Sequence, residues 1–156
     1  MAQHLTFEVP SCFEDDSIQL PCDGDYPYWL QLLDRYISRA DRVEIHCWDG
    51  EEAALNDLFA QCSENDYEVI RELQMTRVCL GLSPSLVEYL QTSSIDEQNR
   101  MKWFALWLFQ GDTCLFCSDH WGVESYIPNV EMPDVEAIQQ ILPADTNFHL
   151  YEAVKD

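Results

Sequence analysis

The chain sets 29 Asp and Glu against 8 Lys and Arg over 156 residues, for a formal net charge of −21 and a sequence pI of about 4.1. Proteins that neutralise phosphates need clustered Lys and Arg. The two lysines and six arginines are scattered, which argues against direct binding of nucleic acid or of an anionic membrane leaflet. Disorder is excluded by content, since 47% hydrophobic and 12% aromatic residues supply a core that unfolded acidic chains lack, and one domain over residues 1–156 is the expected count.

In chain order, residues 4–9 alternate weakly and predict a strand. Residues 11–25, with Pro10, Pro21, Gly24 and the run Glu14-Asp15-Asp16, predict an acidic irregular surface loop. Asp25 is the expected cap of a first helix, with Pro27 in its first turn. Trp29, Leu32, Leu33, Tyr36, Ile37 and Ala40 form its stripe at helical spacing. Val43, Ile45 and Cys47 alternate with Glu44, His46 and Trp48, a strand with two distinct faces. Leu55, Leu58 and Phe59 mark a second helix. Residues 67–73 fit either period, and residues 76–82 fit a strand. Ser83-Pro84 predicts an N-cap and first turn, and Leu86, Val87 and Leu90 the stripe behind it. Residues 92–100 read as a polar loop.

Residues 101–110 are apolar on both alternating faces, as in a strand at the middle of a sheet. Gly111-Asp112 turns the chain, and residues 113–127 return as a longer strand bent or bulged at Ser118-Asp119-His120 and Gly122. Pro133 opens a last helix and Pro143 closes it, before a final edge strand around Phe148 and Leu150. The elements predict an α+β fold: a mixed or antiparallel sheet with a central hairpin at about 101–127 and several packed helices. The first residues carry neither a charged n-region nor an apolar h-region, and the longest apolar run, residues 103–109, is far short of the ~20 that a membrane helix needs. The expectation is a cytoplasmic chain whose seven cysteines stay reduced, since their odd count and scattered spacing do not form a disulfide framework.

Cys114-x-x-Cys117-x-x-His120 is the sharpest short spacing and would offer three zinc ligands. Against it, residues i and i+3 of a strand point to opposite faces, and no fourth ligand stands in register. The sequence contains no Walker loop, GxGxxG, HExxH or GxSxG, so neither a cofactor nor a catalytic residue is expected. Charge carries more information. The 52 residues between Lys102 and Lys155 contain no Lys or Arg and eight acids, and residues 41–72 hold ten acids against two arginines. Solubility alone would explain an acidic surface. A cationic partner explains it further, because opposite charge speeds association toward 10⁸–10⁹ M⁻¹s⁻¹ at low salt. Asp119, His120, Trp121, Glu124 and Tyr126, beside the predicted bend, and Asp15 and Asp16 in the acidic loop are the candidate contacts, with aromatic side chains as anchors.

In size, acidity and the aromatic stretch MKWFALWLFQGDTCLFCSDHWGVESYIP, the chain resembles the immunity proteins of bacterial contact-dependent and secreted toxin systems. The resemblance implies a non-catalytic cytoplasmic α+β protein that neutralises one cognate toxin in a tight heterodimer. A nuclease is the expected target, because its cleft is basic in order to hold nucleic acid. Two other readings use the same residues: a nucleic-acid mimic that blocks a host nuclease or DNA-binding protein, and a metal- or ligand-binding enzyme centred on Cys114, Cys117 and His120.

Overall fold

The computed structural model describes residues 3–14, 18–22, 24–62 and 67–152. The elements are β1 (Gln3–Glu8), β2 (Ser11–Glu14), β3 (Ile18–Pro21), α1 (Pro27–Ile37), β4 (Arg42–Trp48), α2 (Glu52–Gln61) and β5 (Tyr67–Glu72). They continue with β6 (Met75–Gly81), α3 (Pro84–Ser93), β7 (Ala105–Gln110), β8 (Thr113–Asp119), β9 (Glu124–Val130), α4 (Met132–Ile141) and β10 (Asn147–Glu152). Eight strands form one sheet in the order β10-β1-β9-β8-β7-β4-β6-β5, and every pairing in it is antiparallel. The fold is α+β, with the β7–β8 hairpin at the middle of the sheet and β10 at one edge, as the sequence predicts.

Strand alternation divides the sheet into two faces. Leu5, Phe7, Val43, Ile45, Val78, Leu80, Leu106, Leu108, Phe116 and Ile127 point into the core. The helices cover them as a layer in which α1 touches α3 and α4, and α2 touches α3. Helix α1 is the centre of that layer. Its Trp29 is fully buried and donates from Nε1 to Ser118 Oγ on β8 at 2.8 Å, and its Tyr36 ring stacks on Phe116, centroids 5.9 Å apart. Among the described residues, no helix is long and apolar enough to cross a membrane.

Several local readings differ from the structure, and one that the sequence left open is resolved by it. Residues 11–25 are not wholly irregular, because Ser11–Glu14 and Ile18–Pro21 pair as a separate two-stranded hairpin. Its strands are too short to show a period through their prolines and acids. Asp25 does not cap α1: the N-cap is Tyr26, which makes no side-chain cap bond, while Asp25 accepts from Asn99 Nδ2 at 2.7 Å. The ambiguous stretch 67–73 is strand β5, closed by a turn in which Leu73 is 91% exposed. The central strand is shorter than predicted. Met101 makes only an isolated bridge to Ile95, and Trp103 is buried in irregular backbone with its Nε1 donating to Ser94 Oγ at 2.9 Å. Those apolar residues fill the core beneath a loop, which composition alone does not separate from a strand.

A further difference shapes the candidate site. Residues 113–127 are not one bent strand. The chain reverses fully at residues 120–123, and β8 and β9 pair with each other. His120, Trp121 and Gly122 hold positive φ of 52, 55 and 87°. Left-handed backbone at two non-glycine residues costs of order 1–3 kcal/mol each, and packing over-determines it here. A Cβ on Gly122 would lie 3.1 Å from Trp29 Cδ1, 3.2 Å from Tyr26 Cε1 and 3.3 Å from Met101 Cε, while the Gly122 carbonyl accepts from Tyr28 Oη at 2.8 Å. Gly122→Ala is expected to destabilise the chain by about 1–3 kcal/mol through φ strain and crowding. Urea unfolding checks it, and an unchanged midpoint would show that the turn rearranges freely.

Candidate protein-binding face

The face of the sheet turned away from the helices carries a continuous cross-strand row. From one edge to the other it runs Glu68, Cys79, Glu44, Trp107, Cys117, Tyr126, Thr6 and His149, one residue from each strand. Their side chains share the face because each pairs directly with the next and its neighbours along the strand point into the core. Beside that row stand Arg77 and His46 on one half, and Asp119, Glu124, Glu8 and Asn147 on the other. A groove of about 300 Å³ runs among Thr6, Glu8, Asp119, Glu124, Tyr126 and His149.

Polar contacts hold these side chains in place. Trp107 donates from Nε1 to Asp119 Oδ1 at 3.1 Å, and its ring lies 4.6 Å from that of His46. His46 Nε2 is 3.1 Å from Glu44 Oε2, and Cys79 Sγ donates to Glu44 Oε1 at 3.2 Å. Acids prevail on the face. Glu8, Glu44, Glu68, Glu72, Asp119 and Glu124 belong to it by strand parity, against Arg42 and Arg77. Both arginines are already engaged: Arg42 lies over the Phe109 ring, 4.7 Å from its centroid, and Arg77 Nη2 sits 3.3 Å from Glu72 Oε1. The result is an acidic field over a pleated surface set with Trp107, Phe109 and Tyr126.

Of the residues singled out from sequence, Asp119, Glu124 and Tyr126 come together in the groove. His120 sits at the margin, in the β8–β9 turn, with Nε2 3.6 Å from Glu124 Oε2. Trp121 is only 6% exposed: its Nε1 donates to Glu51 Oε2 at 2.8 Å, and its ring meets Phe104 edge-on at 4.9 Å. Asp15 and Asp16 lie outside the described residues. Sequence reading passed over Glu8, Glu44, Trp107 and His149, which come from four separate strands. Glu44, Trp107 and His149 lie in stretches whose pattern predicts strands, but that pattern does not say that they share a face.

The expectation that Cys114 and Cys117 point to opposite faces is overturned. Leu108 pairs with Phe116 but Phe109 pairs with Cys114, so Leu115 is an extra residue in β8. This β-bulge returns Cys114 to the face that Cys117 occupies, and the two sulfurs lie 2.8 Å apart. His120 instead packs against Phe104, ring centroids 5.3 Å apart. Among the described residues, no group of three or more His, Cys, Asp and Glu is placed to hold a metal ion.

A second cavity, about 560 Å³, opens at the end of the sheet between the β2–β3 hairpin and the β8–β9 turn, lined by Phe13, Trp48, Phe104, His120, Trp121 and Glu51. Glu51 Oε1 accepts from the Trp48 backbone N–H at 2.8 Å, and burial pushes its carboxyl above the usual range despite this bond and that from Trp121. Glu51 thereby joins the start of α2, the end of β4 and the turn. On the helical layer, Asp57 accepts from Tyr89 Oη at 2.5 Å and Lys102 Nζ at 2.8 Å, contacts that hold its carboxyl below its usual range.

The chain matches no protein-family model, no curated protein and no solved structure.

Proposed function

We propose that this is a non-catalytic cytoplasmic protein that captures and neutralises a basic partner, as an immunity protein does its toxin, through the open face of the eight-stranded sheet. The observation that carries the reading is the composition of that face: six acids, two engaged arginines, and an aromatic group held among the acids. Eight strands at ~4.8 Å spacing extend roughly 34 Å, room for the ~800 Å² per partner of a standard interface. Long-range attraction brings the basic surface in, and Trp107 and Tyr126 supply apolar area that a salt bridge cannot. A nuclease toxin fits best, because the Arg and Lys that hold its substrate phosphates present the complementary charge.

Co-expression tests this. The protein encoded immediately upstream in the source genome is expected to be toxic alone and harmless with this chain, and the two should co-purify. A neighbour without toxicity, or one equally toxic in both settings, overturns the proposal.

A further inference from the structure

We infer that Cys114 and Cys117 form a thiol–disulfide exchange site, a vicinal dithiol on the open sheet face that a low-molecular-weight disulfide such as glutathione disulfide oxidises to an intramolecular disulfide. The inference stands apart from the partner-binding reading, because every readout below is made on the isolated chain.

Geometry carries it. A regular strand would hold residues 114 and 117 on opposite faces, and the extra residue Leu115 puts both on one. Their sulfurs are 2.8 Å apart. A disulfide bond of about 2.05 Å therefore needs less than about 1 Å of approach. Both residues are half-buried, on a face that carries no helix, so a small disulfide can reach them. The other thiols differ in setting: Cys47 and Cys62 are buried, Cys79 donates to Glu44, and Cys12 and Cys22 are exposed at the β2–β3 hairpin.

The pair is also asymmetric. The hydrogen bond from the Cys117 thiol and one from the Phe116 backbone N–H hold Cys114 below the usual thiol range. The same bond and burial push Cys117 above it. Since the thiolate is the nucleophile, Cys114 acts first. Its thiolate attacks one sulfur of glutathione disulfide, the S–S bond breaks, and one glutathione thiolate leaves, giving a mixed disulfide on Cys114. Cys117 then loses its proton to solvent and attacks Cys114 Sγ. The Cys114–Cys117 bond forms, and the second glutathione thiolate leaves and is protonated. Two electrons pass from the dithiol to the small disulfide.

The test incubates the full chain in glutathione buffers from reducing to oxidising, quenches in acid, alkylates free thiols and maps peptides by mass. The wild-type peptide that carries Cys114 and Cys117 should lose two hydrogens to a Cys114–Cys117 link, restored by reduced glutathione, whatever glutathione the exposed Cys12 and Cys22 take up on other peptides. Cys117→Ser should retain one glutathione on Cys114. Cys114→Ser should take up glutathione at Cys117 about tenfold more slowly. Wild-type Cys114 and Cys117 that both alkylate, or that each carry a separate glutathione, in the most oxidising buffer overturn the inference, and that arm needs no variant to fold. Equal rates in the two variants overturn the assigned order of attack.

Discussion

Trp29→Ala is expected to lower the unfolding free energy by about 3–5 kcal/mol. A domain of this size has roughly 5–15 kcal/mol in total, so the variant should fold marginally or not at all. Three losses combine at one position. Trp29 is fully buried among α1 and the sheet, so the substitution leaves a cavity where the largest side chain of the helix stood. The Nε1 bond to Ser118 Oγ is broken, which leaves a buried hydroxyl without that donor. The indole also packs at 3.1 Å from where a Gly122 Cβ would be, so the strained β8–β9 turn loses a wall. Trp29→Phe separates these causes, because it keeps most of the apolar area and removes the donor, and it should cost about 1–3 kcal/mol. Urea unfolding of the three proteins measures both steps. A Trp29→Ala midpoint near wild type would mean that α1 does not bear on β8 in this way.

Asp119→Lys combined with Glu124→Lys should slow association with the cognate basic partner about 10–100-fold at low salt. The two carboxylates line one groove and lie on neighbouring strands, so the double reversal replaces local attraction with repulsion. The rate of the variant should also fall less steeply with added salt, because screening acts on the attraction that has been removed. The fold should tolerate the change. Both residues are only half-buried, and reducing a net charge of −21 relieves self-repulsion. The local costs are the lost acceptor for Trp107 Nε1 and the lost carboxylate beside His120 Nε2. Stopped-flow association over a salt series measures the effect, with circular dichroism confirming the fold. Unchanged kinetics would place the interface elsewhere on the chain.

Much of this architecture was legible in the sequence because local periodicity reports burial. The stripe from Trp29 to Ile37, the two-faced strand around Ile45 and the later part of the doubly apolar segment, from Ala105 to Gln110, each sit where their pattern indicated. The pattern misled where apolar residues served something other than a regular element. Met101 and Trp103 look like strand residues because the core beneath a loop is as dry as the core beneath a sheet. The β8–β9 reversal was hidden because His120 and Trp121 occupy left-handed backbone that glycine or asparagine would have advertised.

The candidate site divides in the same way. Asp119, Glu124 and Tyr126 could be singled out because they are close in sequence. Glu8, Glu44, Trp107 and His149 could not, because they meet only through the order in which eight strands pair. The chain by itself determined an acidic, aromatic-rich α+β domain, since charge and periodicity are properties of residues and their near neighbours. Which side of each strand the helices cover, where Trp121 turns inward, and that one extra residue in β8 brings two thiols within 2.8 Å were decided only by the tertiary structure. Those outcomes depend on register between distant segments, and a shift of one residue exchanges the two faces of a strand.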